Sequence, residues 1–117
     1  MNNVLRVGLL VLLLAGAAEL AMQRTKRPPS ETMVAHGEAL FRTKGCVTCH
    51  AYSGIAQPRD WDASIGPDLT NYRNEPAFLR RWLAEPSAVR ADTKMPDLEL
   101  AAPEIEALIA FLNRTKE

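Results

Sequence analysis

The chain has few cysteines that could cross-link a small protein. It contains only two cysteines among 117 residues, so a network of several disulfides is excluded. After an apolar N-terminal segment, residues 28–117 form a stretch of 90 residues, which is enough for one small domain. A domain of that size has a thin core and gains stability from a metal or prosthetic group.

The chain also lacks an excess of charge of either sign. Its formal net charge is zero, with +3 in residues 1–27 and −3 in residues 28–117. A nucleic-acid-binding domain usually carries a strong excess of positive charge, which residues 28–117 lack, so no nucleic-acid partner is expected. No paired carboxylates, nucleophile–base arrangement or phosphate-binding loop is visible. We therefore do not expect an enzyme that turns over a substrate.

Both cysteines and one of the two histidines fall within six residues, GCVTCH at positions 45–50. A disulfide between Cys46 and Cys49 would close a tiny loop and restrain the unfolded chain little. A thioredoxin-like redox motif needs a βαβ context, and no strand pattern precedes this segment. A zinc site needs four ligands; adding His50 and His36 just meets that number, but no second ligand pair follows downstream.

The fourth interpretation of this segment is covalent attachment of haem c, for which C-x-x-C-H is the typical spacing. On a helical turn, positions i and i+3 lie about 5–6 Å apart on one face. Cys46 and Cys49 can then each reach one vinyl group at the same edge of a porphyrin. His50 follows directly and can bind the iron through Nε2.

A low-spin electron carrier needs a sixth iron ligand on the opposite face of the ring. Of the four methionines, Met95 is the one that lies downstream of the motif in a loop, within DTKMPDLEL. Pro96 biases Met95 toward an extended backbone, which suits a strap that crosses the distal face of a haem. Filling of the core by the thioether is the other interpretation. His36 is the alternative sixth ligand, although its position favours the exposed side of the first helix.

The segments GEALFRTKGCVTCH, IGPDLT, TKMP and APEIEALIAFL stand in the order found in small monohaem cytochromes c of class I. The chain resembles that family over residues 33–114. The resemblance implies an all-α class I cytochrome c fold, with about three main helices around one covalent haem c. It also implies thioethers at Cys46 and Cys49, and His50 and Met95 as the axial iron ligands.

Two further features come from the same resemblance. Pro67 is similar to the proline whose carbonyl receives the Nδ1 hydrogen of the haem histidine, although an ordinary turn would also explain it. The stretch FLRRWLAEPSAVRADTKMP is similar to haem domains attached to subunit II of some haem-copper oxidases. It also resembles small cytochrome subunits of membrane quinol-oxidising complexes.

Hydrophobic periodicity predicts three helices in this domain. The first covers residues 31–44 with Ser30 as its N-cap, and the second covers residues 76–85 between two prolines. The third begins at Pro103. The predicted buried faces are Met33, Gly37, Leu40 and Phe41 in the first helix, Phe78, Leu79, Trp82 and Leu83 in the second, and Ile105, Leu108, Ile109 and Leu112 in the third.

The remaining expectations concern the terminal helices and the long connection. Phe41 and Phe111 are expected to meet where the first and last helices cross, as in the family that the chain resembles. Residues 51–74 are rich in Gly, Pro, Asp and Asn and are predicted to be irregular. Trp61 and Tyr72 in this connection either bind a haem propionate or pack in the core.

The N-terminal run from Val7 to Gln23 holds seventeen residues and is broken only by Glu19. At about 1.5 Å per residue its length is at the lower end of the membrane-spanning range. We predict a transmembrane anchor in residues 1–23, a linker in residues 24–30 and a cytochrome c domain in residues 31–117. A signal peptide cleaved near residues 15–17 is the alternative. The basic residues that follow the run oppose an outward orientation of the domain.

These features predict one-electron transfer by a covalent haem c, in a membrane-anchored cytochrome subunit of a respiratory or photosynthetic complex. The expected location is the bacterial cytoplasmic membrane, with the haem domain on the periplasmic side. The expected partners are the membrane and redox proteins of that complex. A diffusible periplasmic shuttle and a small zinc-binding module are the alternatives.

Overall fold

A computed structural model describes residues 29–59 and 65–114 of the chain. Within these two ranges the structure is helical and contains no strand, as the all-α prediction expects. The predicted anchor in residues 1–23, most of the linker and Trp61 lie outside the described residues. The helices are α1 (Glu31–Thr43), α2 (Pro76–Ala84), α3 (Pro86–Val89) and α4 (Ala102–Leu112). A short 3-10 turn (Cys46–Thr48) follows α1.

Helix α1 begins where its sequence predicts. The Ser30 hydroxyl accepts a hydrogen bond from the Met33 amide at 3.2 Å, which satisfies one free donor of the first turn and confirms the N-cap. The predicted stripe is correct for Gly37, Leu40 and Phe41, which are buried. It is wrong for Met33, whose side chain is 43% exposed. Val34, the next residue of the same turn, is the one that packs against the core.

Helices α1 and α4 cross at Gly37. A Cβ atom there would collide with the Ala107 carbonyl oxygen and lie 2.7 Å from Cβ of Phe111. The missing side chain lets the two backbones approach closely. Phe41 and Phe111 meet beside the crossing with ring centroids 5.5 Å apart, which confirms the expected contact.

Helix α2 ends one residue earlier than predicted, because Pro86 begins a separate helix. This proline was predicted only to end α2, whereas it occupies the first turn of α3, where a backbone N–H would have no partner within the helix. Helix α4 begins at Ala102, one residue before the predicted Pro103. An ion pair between Arg80 and Glu106 joins α2 to α4.

The described parts of the long connection are irregular, as predicted, and are held by specific hydrogen bonds. The Leu69 amide donates to the Ala51 carbonyl at 2.9 Å, which brings the two ends of the loop together. The Arg73 guanidinium donates to the carbonyl oxygens of Leu112, at 2.9 Å, and of Arg114. These bonds attach the connection to the end of α4.

One hydrophobic core lies between the helices and this connection. Its larger buried side chains are Leu40, Phe41, Tyr52, Ile55, Leu69, Leu79, Leu83, Ile105, Leu108, Ile109, Phe111 and Leu112. The third predicted face is therefore buried in full, while Phe78 and Trp82 of the second are only half-buried. Both aromatic rings face a cavity that opens beside the core.

Candidate functional site

A cavity of about 470 Å³ lies between the 3-10 turn, helix α2 and the segment around Met95. Cys46, Cys49, His50, Pro67 and Met95 all line it. The structure thus brings together all five residues predicted for the site, although the first and the last lie 49 positions apart in the sequence. Most of the remaining wall is apolar and consists of Phe41, Ile65, Leu69, Phe78, Leu79, Trp82, Leu83, Leu98, Leu108 and Leu112.

The 3-10 turn presents the cysteine pair to the cavity. Gly45 precedes it with a φ of 80°, a left-handed conformation that suits glycine. The Cys46 carbonyl then accepts from the amides of Cys49 at 3.2 Å and His50 at 2.9 Å. Both cysteines are free thiols and are half-buried. Burial raises the pKa of the Cys46 thiol to about 11, so that its sulfur is protonated at neutral pH.

The His50 imidazole is held by the loop that contains Pro67. Its Nδ1 lies 2.9 Å from the Pro67 carbonyl oxygen. A carbonyl can only accept, so in this contact Nδ1 carries the hydrogen and Nε2 keeps its lone pair. Gly66 packs against the same ring: a Cβ atom there would lie 2.8 Å from Cε1 of His50 and 2.7 Å from the Cys49 carbonyl oxygen.

Met95 is held from two directions. Its backbone amide donates to the Thr93 hydroxyl at 3.2 Å. Its sulfur accepts a hydrogen bond from Nε1 of Trp82 at 3.0 Å. The thioether is half-buried among the residues of the cavity and is not packed deep in the core. Met95 also packs against the edge of the hydrophobic core, so its role as an iron ligand stays a prediction beside the core-filling interpretation.

The other candidates have different surroundings. His36 is exposed on α1 and does not line the cavity. Within the described ranges, no group of three or more His, Cys, Asp or Glu side chains is arranged to hold a metal ion. Tyr72 lines the cavity, and its hydroxyl accepts from the Asn74 side chain at 3.0 Å, so it belongs to the wall and not to the closed core.

These residues fit a haem c. The cavity volume falls within the usual range for ligand pockets, about 300–1,000 Å³, and its wall is mostly apolar. Two thiols, an imidazole with a free Nε2 and a thioether are the donors that such a group requires. Arg90, Asp92 and Lys94 also line the cavity and together add one net positive charge, which complements the propionates of a haem.

Two residues of this site were not predicted from the sequence. Trp82 was predicted to lie on a buried helix face, whereas its indole N–H reaches the Met95 sulfur. The sequence could have indicated this contact, because the indole N–H of a tryptophan that lines a cavity usually has a hydrogen-bond partner. Gly66 was predicted only as part of a turn, because a close approach to a ring sixteen residues earlier leaves no trace in local composition.

Comparison with known proteins adds two findings. The family model described as Cytochrome c matches residues 34–116, which is more than half of the chain. The chain is also similar to cytochrome c oxidase subunit 2 of Bacillus sp. (strain PS3), with 29% identity over 108 residues. That alignment covers 81% of this chain and 30% of the relative, so the chain spans less than a third of its length.

No helix within the described ranges combines the length and the apolar character that a membrane crossing requires. The predicted anchor lies before the first described residue.

Proposed function

This chain belongs to the cytochrome c family, and we propose that it carries single electrons as a membrane-anchored subunit of a respiratory or photosynthetic complex. The family binds haem c covalently and transfers electrons with it. The family and the pair of cysteines in C-x-x-C-H therefore make the cofactor of this chain haem c. The proposal concerns which residues hold the haem and where the domain works.

We assign the predicted site residues to the haem as follows. Cys46 and Cys49 form the thioethers, His50 and Met95 are the axial ligands, and Pro67 orients the imidazole. The observation that supports this assignment best is that one apolar cavity contains all five, with Nδ1 of His50 directed to the Pro67 carbonyl. That contact leaves Nε2 as the ring nitrogen with a lone pair for a metal.

When bound, haem c supplies a one-electron iron couple. With His50 and Met95 both holding the iron, the haem would have no free coordination site for a substrate or for oxygen. The apolar wall keeps water away from the iron, and the thioether of Met95 favours the ferrous state relative to a second histidine. These residues therefore suit electron transfer and not turnover of a substrate, which supports the view that the chain is not itself an enzyme.

The membrane location rests on two observations. Residues 7–23 are mostly apolar and carry no charge apart from Glu19, and the chain is similar to part of an oxidase subunit 2. We propose that residues 1–23 anchor the chain in the bacterial cytoplasmic membrane, with the domain on the periplasmic side beside its redox partners. A diffusible periplasmic shuttle is the second candidate, favoured by the small residues at positions 15–17. A zinc-binding module is not supported, because the family binds haem c.

The first test is the visible spectrum of the full chain, expressed in a strain able to attach haem c. We expect a sharp reduced band that survives acid–acetone extraction, and a weak sulfur-to-iron band in the oxidised protein. Cys46→Ala and Cys49→Ala should each leave one thioether, visible as a shift of the reduced band in an alkaline pyridine assay. His36→Ala is the control and should change nothing. A colourless wild-type protein would contradict the proposal.

The anchor has its own test. Membranes from the same strain are washed with high salt and then with carbonate, and the N-terminus of the haem-containing chain is determined by mass spectrometry. An intact residue 1 and retention in the membrane pellet support the anchor. A soluble protein that begins near residue 18 would support the diffusible shuttle instead.

A further inference from the structure

The backbone of His50 is held as well as its ring. Its amide donates to the Cys46 carbonyl at 2.9 Å. Its own carbonyl oxygen accepts a hydrogen bond from Nε2 of Gln57 at 3.3 Å. Together with the contact between Nδ1 and the Pro67 carbonyl, three hydrogen bonds therefore hold this residue, at its amide, its carbonyl and its imidazole.

The bond from Gln57 is the one of the three in which the partner is a side chain. Gln57 lies seven residues after His50 in the irregular connection, is half-buried and does not line the cavity. A carbonyl can only accept, so the amide of Gln57 has to turn its nitrogen toward His50. Turning the amide over would place two acceptors face to face.

The oxygen of the Gln57 amide does not compete with this orientation. Oε1 is buried and has no hydrogen-bond partner within the described ranges. Buried polar side-chain atoms usually do have a partner, so this side chain is not placed to satisfy its own oxygen. The bond to His50 is the polar contact that decides how the amide of Gln57 lies.

The bonds to the backbone of His50 restrain the direction of its side chain. With the amide bonded to Cys46 and the carbonyl to Gln57, both soft dihedral angles of this residue are restrained. The Cα–Cβ bond that carries the imidazole is then restrained too. The next carbonyl, that of Ala51, accepts from the Leu69 amide at 2.9 Å, so the chain stays fixed beyond the bond to Gln57.

We propose that Gln57 is a positioning residue, which fixes the backbone of His50 and thereby the direction of its imidazole in the cavity. This inference rests on the proposed role of His50 as an axial ligand. It extends the support of that ligand to a side chain outside the cavity. Groups that orient a metal ligand in this way act on the metal only through the ligand.

The test uses the full-length holoprotein and removes the bond from Gln57. Gln57→Met keeps the length of the side chain and removes both polar atoms. Gln57→Asn keeps the amide and shortens the side chain by one methylene, which takes the nitrogen out of reach of His50. Thr70→Val is the matched control, because it removes a bond of the same connection that does not involve His50: the Thr70 hydroxyl accepts from the Ser53 amide at 2.9 Å.

Two properties of His50 are followed by NMR in the ferrous holoprotein. One is the position of its ring-proton resonances, which a porphyrin above the ring shifts strongly upfield, and the other is hydrogen exchange of Nδ1–H. In both Gln57 variants the resonances should move and the exchange should be about two- to tenfold faster, the size of one net hydrogen bond. Thr70→Val should speed exchange of the Ser53 amide and leave both properties of His50 unchanged.

The outcomes separate this inference from the proposed function. If the wild-type resonances of His50 lack the upfield shift, His50 is not the axial ligand and the proposed ligand set is wrong. If the shift is present and neither Gln57 variant differs from the wild type, the ligand set stands and the role of Gln57 is wrong. Equal changes in Thr70→Val would also overturn that role. Should Gln57→Met fail to attach haem, Gln57→Asn decides.

Discussion

Nδ1 of His50 lies 2.9 Å from the carbonyl oxygen of Pro67, a contact between residues seventeen positions apart in the chain. The carbonyl fixes the tautomer, because it can only accept a hydrogen bond. In the neutral ring, Nε2 is therefore the nitrogen that carries the lone pair, and this contact within the protein is enough to select it. In a haem protein such an arrangement orients the ring and increases its basicity toward the metal.

The substitution Gly66→Ala tests whether the contact between His50 and Pro67 depends on the close packing of Gly66 against the imidazole ring. The Cβ atom of Gly66→Ala would meet the His50 ring at 2.8 Å, so the ring or the loop must shift. We expect a loss of about 1–3 kcal/mol in the unfolding free energy of the holoprotein, measured with denaturant. The proton resonances of the axial imidazole in the oxidised protein should move as well.

Gly54→Ala is the matched control for Gly66. It meets nothing within 4 Å, although its φ of 83° strains any side chain. A loss of about 1–2 kcal/mol is expected from that backbone conformation. The imidazole resonances should remain unchanged. If they move equally in both variants, Gly66 does not act through the contact with His50.

Met95→Leu tests the sixth ligand. The substitution keeps the volume nearly constant and removes the sulfur, so the sulfur-to-iron band should disappear and the potential should fall. The reduced protein should then bind carbon monoxide, followed by the change of its visible spectrum. Met33→Leu changes a methionine that is 43% exposed on α1 and should leave all three properties intact. Retention of the band in Met95→Leu would identify a different ligand.

Gly37→Ala tests the crossing of α1 and α4. Its new methyl group would collide with the Ala107 carbonyl, and both backbones would have to separate. We expect a loss of about 3 kcal/mol or more in the unfolding free energy, at the upper end of overpacking effects. Ala35→Gly, on the exposed side of the same helix, should lose about 1 kcal/mol from helix propensity alone. Similar losses in the two variants would show that the crossing tolerates a side chain.

The ion pair between Arg80 and Glu106 predicts a small dependence of stability on pH. Hydrogen bonds from Arg80, at 2.5 and 3.0 Å, hold the pKa of Glu106 below its usual range. A depressed native pKa adds stability above the unfolded pKa, and this contribution is lost as the pH falls through the native pKa. Both side chains are partly exposed, so the contribution is about 0.2–1 kcal/mol.

The corresponding variant is Glu106→Gln. At pH 7 it should be less stable than the wild type by that amount in denaturant unfolding, and the difference should vanish once the pH falls below the native pKa of Glu106. Glu85→Gln changes another exposed glutamate and should follow the wild type at every pH. A difference that grows toward acid pH would reverse the expected sign.

Some features of the fold could be predicted because their causes are local. Ser30 caps the helix that follows it, and Pro76 begins α2, since each acts on backbone groups within one turn. The apolar spacing of Ile105 to Leu112 likewise marks a helix face that is buried in full. The exposure of Met33 was not predictable, because periodicity shows which residues share a face but not how far a partner helix covers it.

The sequence by itself determined the chemical groups of the site and their local spacing: C-x-x-C-H on one turn, a methionine before a proline, and helices with one apolar face. The tertiary structure alone decided which distant groups meet. The contacts of His50 with Pro67, of Met95 with Trp82 and of Gly37 with Ala107 depend on how helices and loops pack. Covalent spacing constrains neighbours within a few residues, whereas these contacts form only when a shared core brings separate segments to the same place.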